Sequence, residues 1–301
     1  MTFTLRQLSY FVAVAEHGSV TAAADAVHLS QSAMSNALAE LERGLGVQLL
    51  LRHPGRGLFL TGAGEMLLPR AKKLLDDAEE LHSDVRSDAS RLAGRLRVGF
   101  YTSLVPTLAP TIVAEFMLAY PDVEIELAEG TLEELTAWLR RGECELAVTY
   151  SVGLPSDLAT SSLGELRSYA LLSTEHPLAS RTSLRLSELA DTPIILLDLA
   201  PSAAYFDAIL QREGISPPVV FRSASVEVVR GLVSRNLGFS ILTQPEYGRN
   251  SDRRGFAAVR ISQNVDPVRV VTARLTGVRP TRRAQALEEI CNQHVPPLLH
   301  A

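Results

Sequence analysis

Residues 18–60, GSVTAAADAVHLSQSAMSNALAELERGLGVQLLLRHPGRGLFL, decide the reading of this chain. Their periodicity predicts two short amphipathic helices with a tight turn between them, then a Gly/Pro-tipped hairpin. In the first helix Ala22, Ala23, Ala26 and Val27 are expected to share the buried face. His28 and Leu29 make the turn, and Ser30 is placed to cap the second helix. There Ala33, Met34, Ala37, Leu38, Leu41 and Leu45 repeat at helical spacing, leaving Ser32, Ser35, Asn36, Ala39 and Arg43 outside. Small or hydrogen-bonding groups of this kind, with Gln31 at the helix start, suit a helix lying in a DNA major groove. Upstream, Leu8, Phe11, Val12 and Ala15 supply a third helix, so the stretch reads as a winged helix-turn-helix. The same spacing also fits a small helical bundle that binds no DNA. Two features favour DNA: alanines that let the helices cross closely, and a basic hairpin tip. That tip, Arg52, Pro54, Gly55, Arg56 and Gly57, could reach a phosphate or the minor groove.

The run from Leu5 to Leu60 resembles the amino-terminal domain of LysR-type transcriptional regulators. The matching segments are LRQLSYFVAVAEHGSVTAAADAVHLSQSAMS, LERGLGVQLLLR and LTGAGE. In length and layout the likeness covers the whole chain. It implies an N-terminal DNA-binding domain, a long dimerising linker helix and a C-terminal effector-binding domain of the periplasmic-binding-protein type. The implied partners are double-stranded DNA, a small-molecule effector and further copies of the chain. One position departs from the pattern. After SQSAMS the family usually has Arg, and here it is Asn36, so a phosphate or guanine contact is expected to be missing.

At 301 residues, 46% hydrophobic and 21% charged, the chain has the size of two or three domains and the composition of a soluble protein. It has no run of about 18 apolar residues, so no membrane span is expected. Leu8 to Ala15 is a poor export signal, since only Arg6 precedes it and Glu16 and His17 follow at once. A cytoplasmic location is expected. Cys144 and Cys291 are too few for a disulfide framework and lack metal-ligand spacing, so buried inert thiols are the default against a redox pair. The net charge of −5 argues against nucleic acid, but its distribution softens the point. Residues 1–60 hold four Arg and four acids, whereas residues 76–146 hold fifteen acids and six Arg. A formally neutral domain binds phosphate weakly alone and needs more than one copy.

The means of assembly follows directly. From Thr61, a helix to about Ser90 carries Leu67, Ala71, Leu74, Ala78, Leu81 and Val85 at alternating spacings of four and three. That is a heptad seam, although a surface helix packed on its own chain would show it too. At about 28 residues the helix would span roughly 42 Å and need a partner. The expected dimer contacts are Leu67, Leu74 and Leu81, with a dimer of dimers, a homotetramer, as the DNA-binding unit.

From Arg95 the period changes to strands and helices in alternation, which predicts a parallel α/β sheet. Strands are expected at 96–100, 123–127, 146–149, 194–197, 219–221, 239–242 and 268–272, with helices between them and a last helix at 282–293. The expected division is 1–60 for the winged helix-turn-helix, 61–91 for the linker and 92–301 for the effector domain. Lobe I would comprise 95–164 and 266–295, and lobe II 165–265, with crossings near Gly164 and Asp266. Ligands of α/β sheets sit beyond strand C-termini, against helix N-termini. This rule selects Tyr101, Thr102, Ser103, Thr131, Tyr150, Pro201, Ser202, Arg222 and Thr243 as effector contacts. Several of these hydroxyls would serve equally as plain helix caps, and Arg222 suits either a ligand carboxylate or a neighbouring acid. An organic anion is the expected effector.

The rival classes are an enzyme and a secreted solute-binding protein. No GxSxG elbow, phosphate loop, GxGxxG or metal cluster is present, and the seven His residues are scattered. No catalytic residue, metal or cofactor is expected.

Overall fold

Hydroxyl caps fix where the N-terminal helices begin. The computed structural model describes residues 3–53, 57–86, 92–243 and 255–299. Helices α1 (Leu5–His17), α2 (Val20–Ala26) and α3 (Gln31–Leu45) start under the side chains of Thr4, Ser19 and Ser30. Gly18 and Gly46 end α1 and α3 with left-handed φ values of 61° and 71°. His28, at φ 54°, makes the turn between α2 and α3. The three helices close on Leu8, Phe11, Val14, Met34, Leu38 and Leu41.

The buried face of α2 differs from expectation. Val20, Ala23 and Ala24 point inward, while Ala22, Ala26 and Val27 are exposed. Because Ser19 starts this short helix, the i, i+3, i+4 stripe begins at Val20. Hairpin β1 (Leu50–His53) and β2 (Gly57–Leu60) follows in antiparallel register, Leu50 opposite Leu60 and His53 opposite Gly57. Then comes α4 (Gly62–Arg86), whose Leu68 and Ala71 pack into the core of the N-terminal helices. Ala71 of the expected seam is therefore used within the chain, while Leu74 is 43% exposed.

The C-terminal part opens with β3 (Gly94–Tyr101), α5 (Val105–Ala119), β4 (Val123–Gly130), α6 (Leu132–Arg140), β5 (Leu146–Tyr150) and β6 (Leu158–Leu166). It continues with β7 (Tyr169–Ser173), β8 (Ser183–Leu184), β9 (Ile194–Leu197), α7 (Ser202–Arg212), β10 (Val219–Ser223), α8 (Val226–Val233) and β11 (Ser240–Leu242). It ends with β12 (Phe256–Ile261), β13 (Val268–Leu275) and α9 (Arg282–Leu299). One sheet has the order β4-β3-β5-β13-β6, and a second β11-β7-β12-β8, with β10 and β9 paired beside it.

The first sheet is mixed, not purely parallel. Strands β4, β3 and β5 run parallel, whereas β13 is antiparallel to both β5 and β6. The chain changes sheet between Leu166 and Tyr169 and returns between Ile261 and Val268. Helix α9 runs on through Pro296 and Pro297 past the expected end, burying Val295 and Leu299.

Candidate functional site

The first surface is the exposed side of α3. Ser30 Oγ accepts from Ala33 N at 3.2 Å and lies 3.1 Å from Ser32 Oγ, so the first turn is tightly set. Gln31, Ser32 and Asn36 are exposed there, and Ser35 is half-buried. The hairpin is tied to α3 by Glu42, whose Oε1 accepts from Leu49 N at 2.7 Å and Leu50 N at 3.1 Å. That carboxylate is thereby committed to the hairpin's backbone. Thr61 Oγ1 donates to Gln48 O at 2.7 Å and accepts from Gly64 N at 3.0 Å, capping α4. A Cβ at Gly64 would collide with the carbonyl of Leu49, which gives the LTGAGE segment a steric reason. The hairpin tip and the side chains of Arg52, Arg56 and Leu81 lie outside the described residues.

The second site lies where the two sheets of the C-terminal part meet. Strand β3 ends in Tyr101, whose hydroxyl donates to Ala200 O at 2.8 Å, in the loop before α7. Burial pushes this phenol up to about 12, against the lowering effect of its hydrogen bond with Ser202. Tyr101 and Tyr150 rings meet edge-on at 5.3 Å, and Ser103 Oγ is 3.2 Å from Tyr150 OH. Thr102 N donates to Gly130 O at 3.1 Å, locking the turn after β3. Beside these groups a small cavity is lined by Tyr150, Val152, Pro201, Ser202, Tyr205, Thr243 and Val268. Of the sequence-predicted residues it brings together Tyr150, Pro201, Ser202 and Thr243.

The remaining predicted contacts sit elsewhere. Tyr101, Thr102 and Ser103 form the adjoining wall rather than the lining. Thr131 is a helix cap: its Oγ1 accepts from Glu134 N at 3.3 Å and donates to Glu134 Oε2 at 2.9 Å. The Thr131 backbone N–H, which donates to Glu134 Oε2 at 2.8 Å, and then the Thr131 hydroxyl hold the Glu134 carboxyl below its ordinary range. Arg222 is exposed on β10 and does not line the cavity.

Three lining residues escaped the sequence reading: Val152, Tyr205 and Val268. Tyr205 OH donates to Asp266 O at 2.7 Å and lies 3.1 Å from Ser168 Oγ, so it ties α7 to both segments that pass between the sheets. Its only signal in the sequence is its position one turn after Ser202. Among the described residues there is no group of three metal-ligating side chains, and no helix long and apolar enough to cross a membrane.

Comparison with known proteins matches this architecture in both halves. Residues 5–65 match the bacterial regulatory helix-turn-helix protein family, lysR family, and residues 89–296 match the LysR substrate binding domain. YnfL of Escherichia coli, an uncharacterised HTH-type transcriptional regulator, is 32% identical over 251 residues, 80% of this chain and 82% of its own. A hydrogen peroxide-inducible genes activator of Pectobacterium carotovorum is 29% identical over 255 residues, spanning 83% of each. Among solved structures, HinK of Pseudomonas aeruginosa, a LysR family transcriptional regulator, is 32% identical with a TM-score of 0.66. The match covers 98% of this chain and 99% of that one. A winged helix-turn-helix within the first matched span and a two-sheet effector domain within the second, joined by helix α4 between them, place this chain in the LysR family of transcriptional regulators.

Proposed function

We propose that the chain acts in the cytoplasm as a homodimer, paired further into a dimer of dimers, whose effector is a small organic anion held between the two sheets. The observation that carries the anion is the pattern of helix caps. Helices α1, α2, α3, α4, α6, α8 and α9 begin under Thr4, Ser19, Ser30, Thr61, Thr131, Ser225 and Thr281 hydroxyls. Helices α5 and α7 have no side-chain cap; α7 begins at Ser202 in the cavity lining, and α5 follows Ser103, whose hydroxyl is 3.2 Å from that of the lining Tyr150. Uncapped N–H groups at a helix start attract negative charge. Ser103, Tyr150, Ser202 and Thr243 supply neighbouring hydroxyls, all buried. Binding there would set how the two sheets close, and through α4 the spacing of the DNA-reading helices. The domain division read from the sequence, 1–60, 61–91 and 92–301, serves this arrangement. DNA would be read by Ser30, Gln31, Ser32, Ser35 and Asn36, with Arg52 and Arg56 on the backbone.

Oxidation of a thiol is not the signal this geometry supports. Cys144 and Cys291 are buried, and burial pushes each thiol up to about 12, leaving almost no thiolate near neutral pH. The name of the peroxide-inducible relative therefore does not carry over.

A thermal-shift screen of small organic acids against their amides tests the proposal. Acids should stabilise the protein and amides should not. Ser202→Ala should weaken the best acid several-fold. Arg222→Met should leave it largely intact if the helix ends carry the charge, since Arg222 stands outside the cavity. Equal stabilisation by acid and amide would overturn the anion reading.

A further inference from the structure

A second crevice lies away from that cavity, at the seam between the linker helix and the effector domain. Pro69 of α4 meets the turn after α6 closely: a Cβ at Gly142 would stand 3.2 Å from the Cα of Pro69. Next to this contact opens a narrow crevice. Its apolar walls are Pro69 from α4, Leu139 from α6, and Leu275, Val278 and Pro280 from the segment leading into α9.

Six charged side chains surround it: Lys72, Lys73, Asp76, Glu145, Arg274 and Arg279. Four of them are already engaged. Lys72 pairs with Glu16 at 2.8 Å, Lys73 pairs with Asp77, Glu145 Oε2 accepts from Thr281 N at 3.2 Å, and Asp76 also has a partner. Arg274, half-buried, and Arg279, exposed, have no hydrogen bond or ion pair from their side chains among the described residues. A crevice with apolar walls and two unpaired guanidinium groups has the chemistry of a site for an amphipathic anion.

We propose that this crevice is a second ligand site, and that it takes a short-chain carboxylate. The alkyl tail lies against Pro69, Leu139, Leu275 and Val278, and the carboxylate sits between Arg274 and Arg279. One wall belongs to the linker helix and the others to the effector domain. A ligand there binds the docked arrangement of the two parts and holds it. This route to the DNA-binding end is separate from the cavity near Ser202.

The test is calorimetric titration of the full chain with hexanoate, with acetate and hexan-1-ol as controls for the head and the tail alone. Hexanoate should bind, and both controls should bind much more weakly. The double variant Arg274→Gln/Arg279→Gln should weaken hexanoate roughly tenfold or more, while melting like the parent protein. Val278→Asp, which places a charge against the tail, should weaken it as well. Ser202→Ala should not alter it. Hexanoate binding unchanged in the double variant, lost in Ser202→Ala, matched by hexan-1-ol, or absent from the parent protein would each overturn the proposal.

Discussion

The hydroxyl of Tyr101 reaches across the effector domain to donate to the carbonyl of Ala200 at 2.8 Å. It joins the end of a strand in one sheet to the loop before α7, the helix whose Ser202 and Tyr205 line the cavity. Tyr101→Phe keeps the edge-on contact with Tyr150 and removes this bond together with the hydroxyl's contact to Ser202. The expected cost is about 1 kcal/mol, because Ala200 O loses its partner. Amides near the start of α7 should exchange faster in hydrogen-exchange measurements. Unaltered exchange would show that the bond does not hold the two sheets together.

Base recognition should depend on the two amide side chains of the α3 surface. Gln31 and Asn36 are exposed, and such amides bond adenine bidentately at roughly 1–3 kcal/mol of discrimination each. Gln31→Ala or Asn36→Ala should flatten preference at one half-site position in a binding-site selection experiment. A uniform loss across all sequences would instead make them backbone contacts.

Dimer formation should fail when charge enters the linker seam. Leu74 is 43% exposed in the single chain, an apolar side chain on a helix whose inner face is already filled by Leu68 and Ala71. Leu74→Asp with Leu81→Asp should give monomers by sedimentation and no footprint on DNA. An intact dimer would sink the heptad assignment.

The join between hairpin and linker should tolerate no side chain at position 64. Gly64→Ala would drive a methyl group into the carbonyl of Leu49, a backbone atom that cannot swing aside. The expected destabilisation is roughly 1–3 kcal/mol, as for other overpacked sites. It should appear as a lower denaturation midpoint of the N-terminal part, with weaker DNA binding and an unchanged effector response.

What the sequence could show was local. Helical spacing located α1 and α3 and the Ser30 cap of α3, and β-rich runs located β3, β5, β9 and β13. Strand β6 was invisible because LATSSLGEL buries only Leu158, Leu163 and Leu166, and its pairing with β13 is distant in sequence. The same remote partner makes the first sheet mixed. At the cavity, Ser202 and Tyr150 were legible as residues just past strand ends or at helix starts. Tyr205 was not, because its place depends on segments around Ser168 and Asp266 that meet only in the fold. Arg222 shows the opposite difficulty. Its strand end could be read, but among the described residues β10 pairs only with β9, and which side of such a strand faces the cavity is set by packing.

Alkaline pH should expose the state of the two thiols. Burial raises both Cys144 and Cys291 to about 12 in the folded chain, against about 8.5 for an unfolded thiol. The folded state thus keeps its protons where the unfolded state loses them. The stability this contributes is complete below about pH 8.5 and is lost as pH rises towards 12. By pH 10.5 the loss should be on the order of 2 kcal/mol per thiol. Urea midpoints measured from pH 7.5 to 10.5 should therefore fall more steeply for the parent protein than for Cys144→Ala/Cys291→Ala. The cavities left by those substitutions shift the whole curve without changing its slope. Parallel curves would mean that at least one thiol reaches solvent as thiolate in the folded chain, and the case against thiol-based peroxide sensing would fall with it.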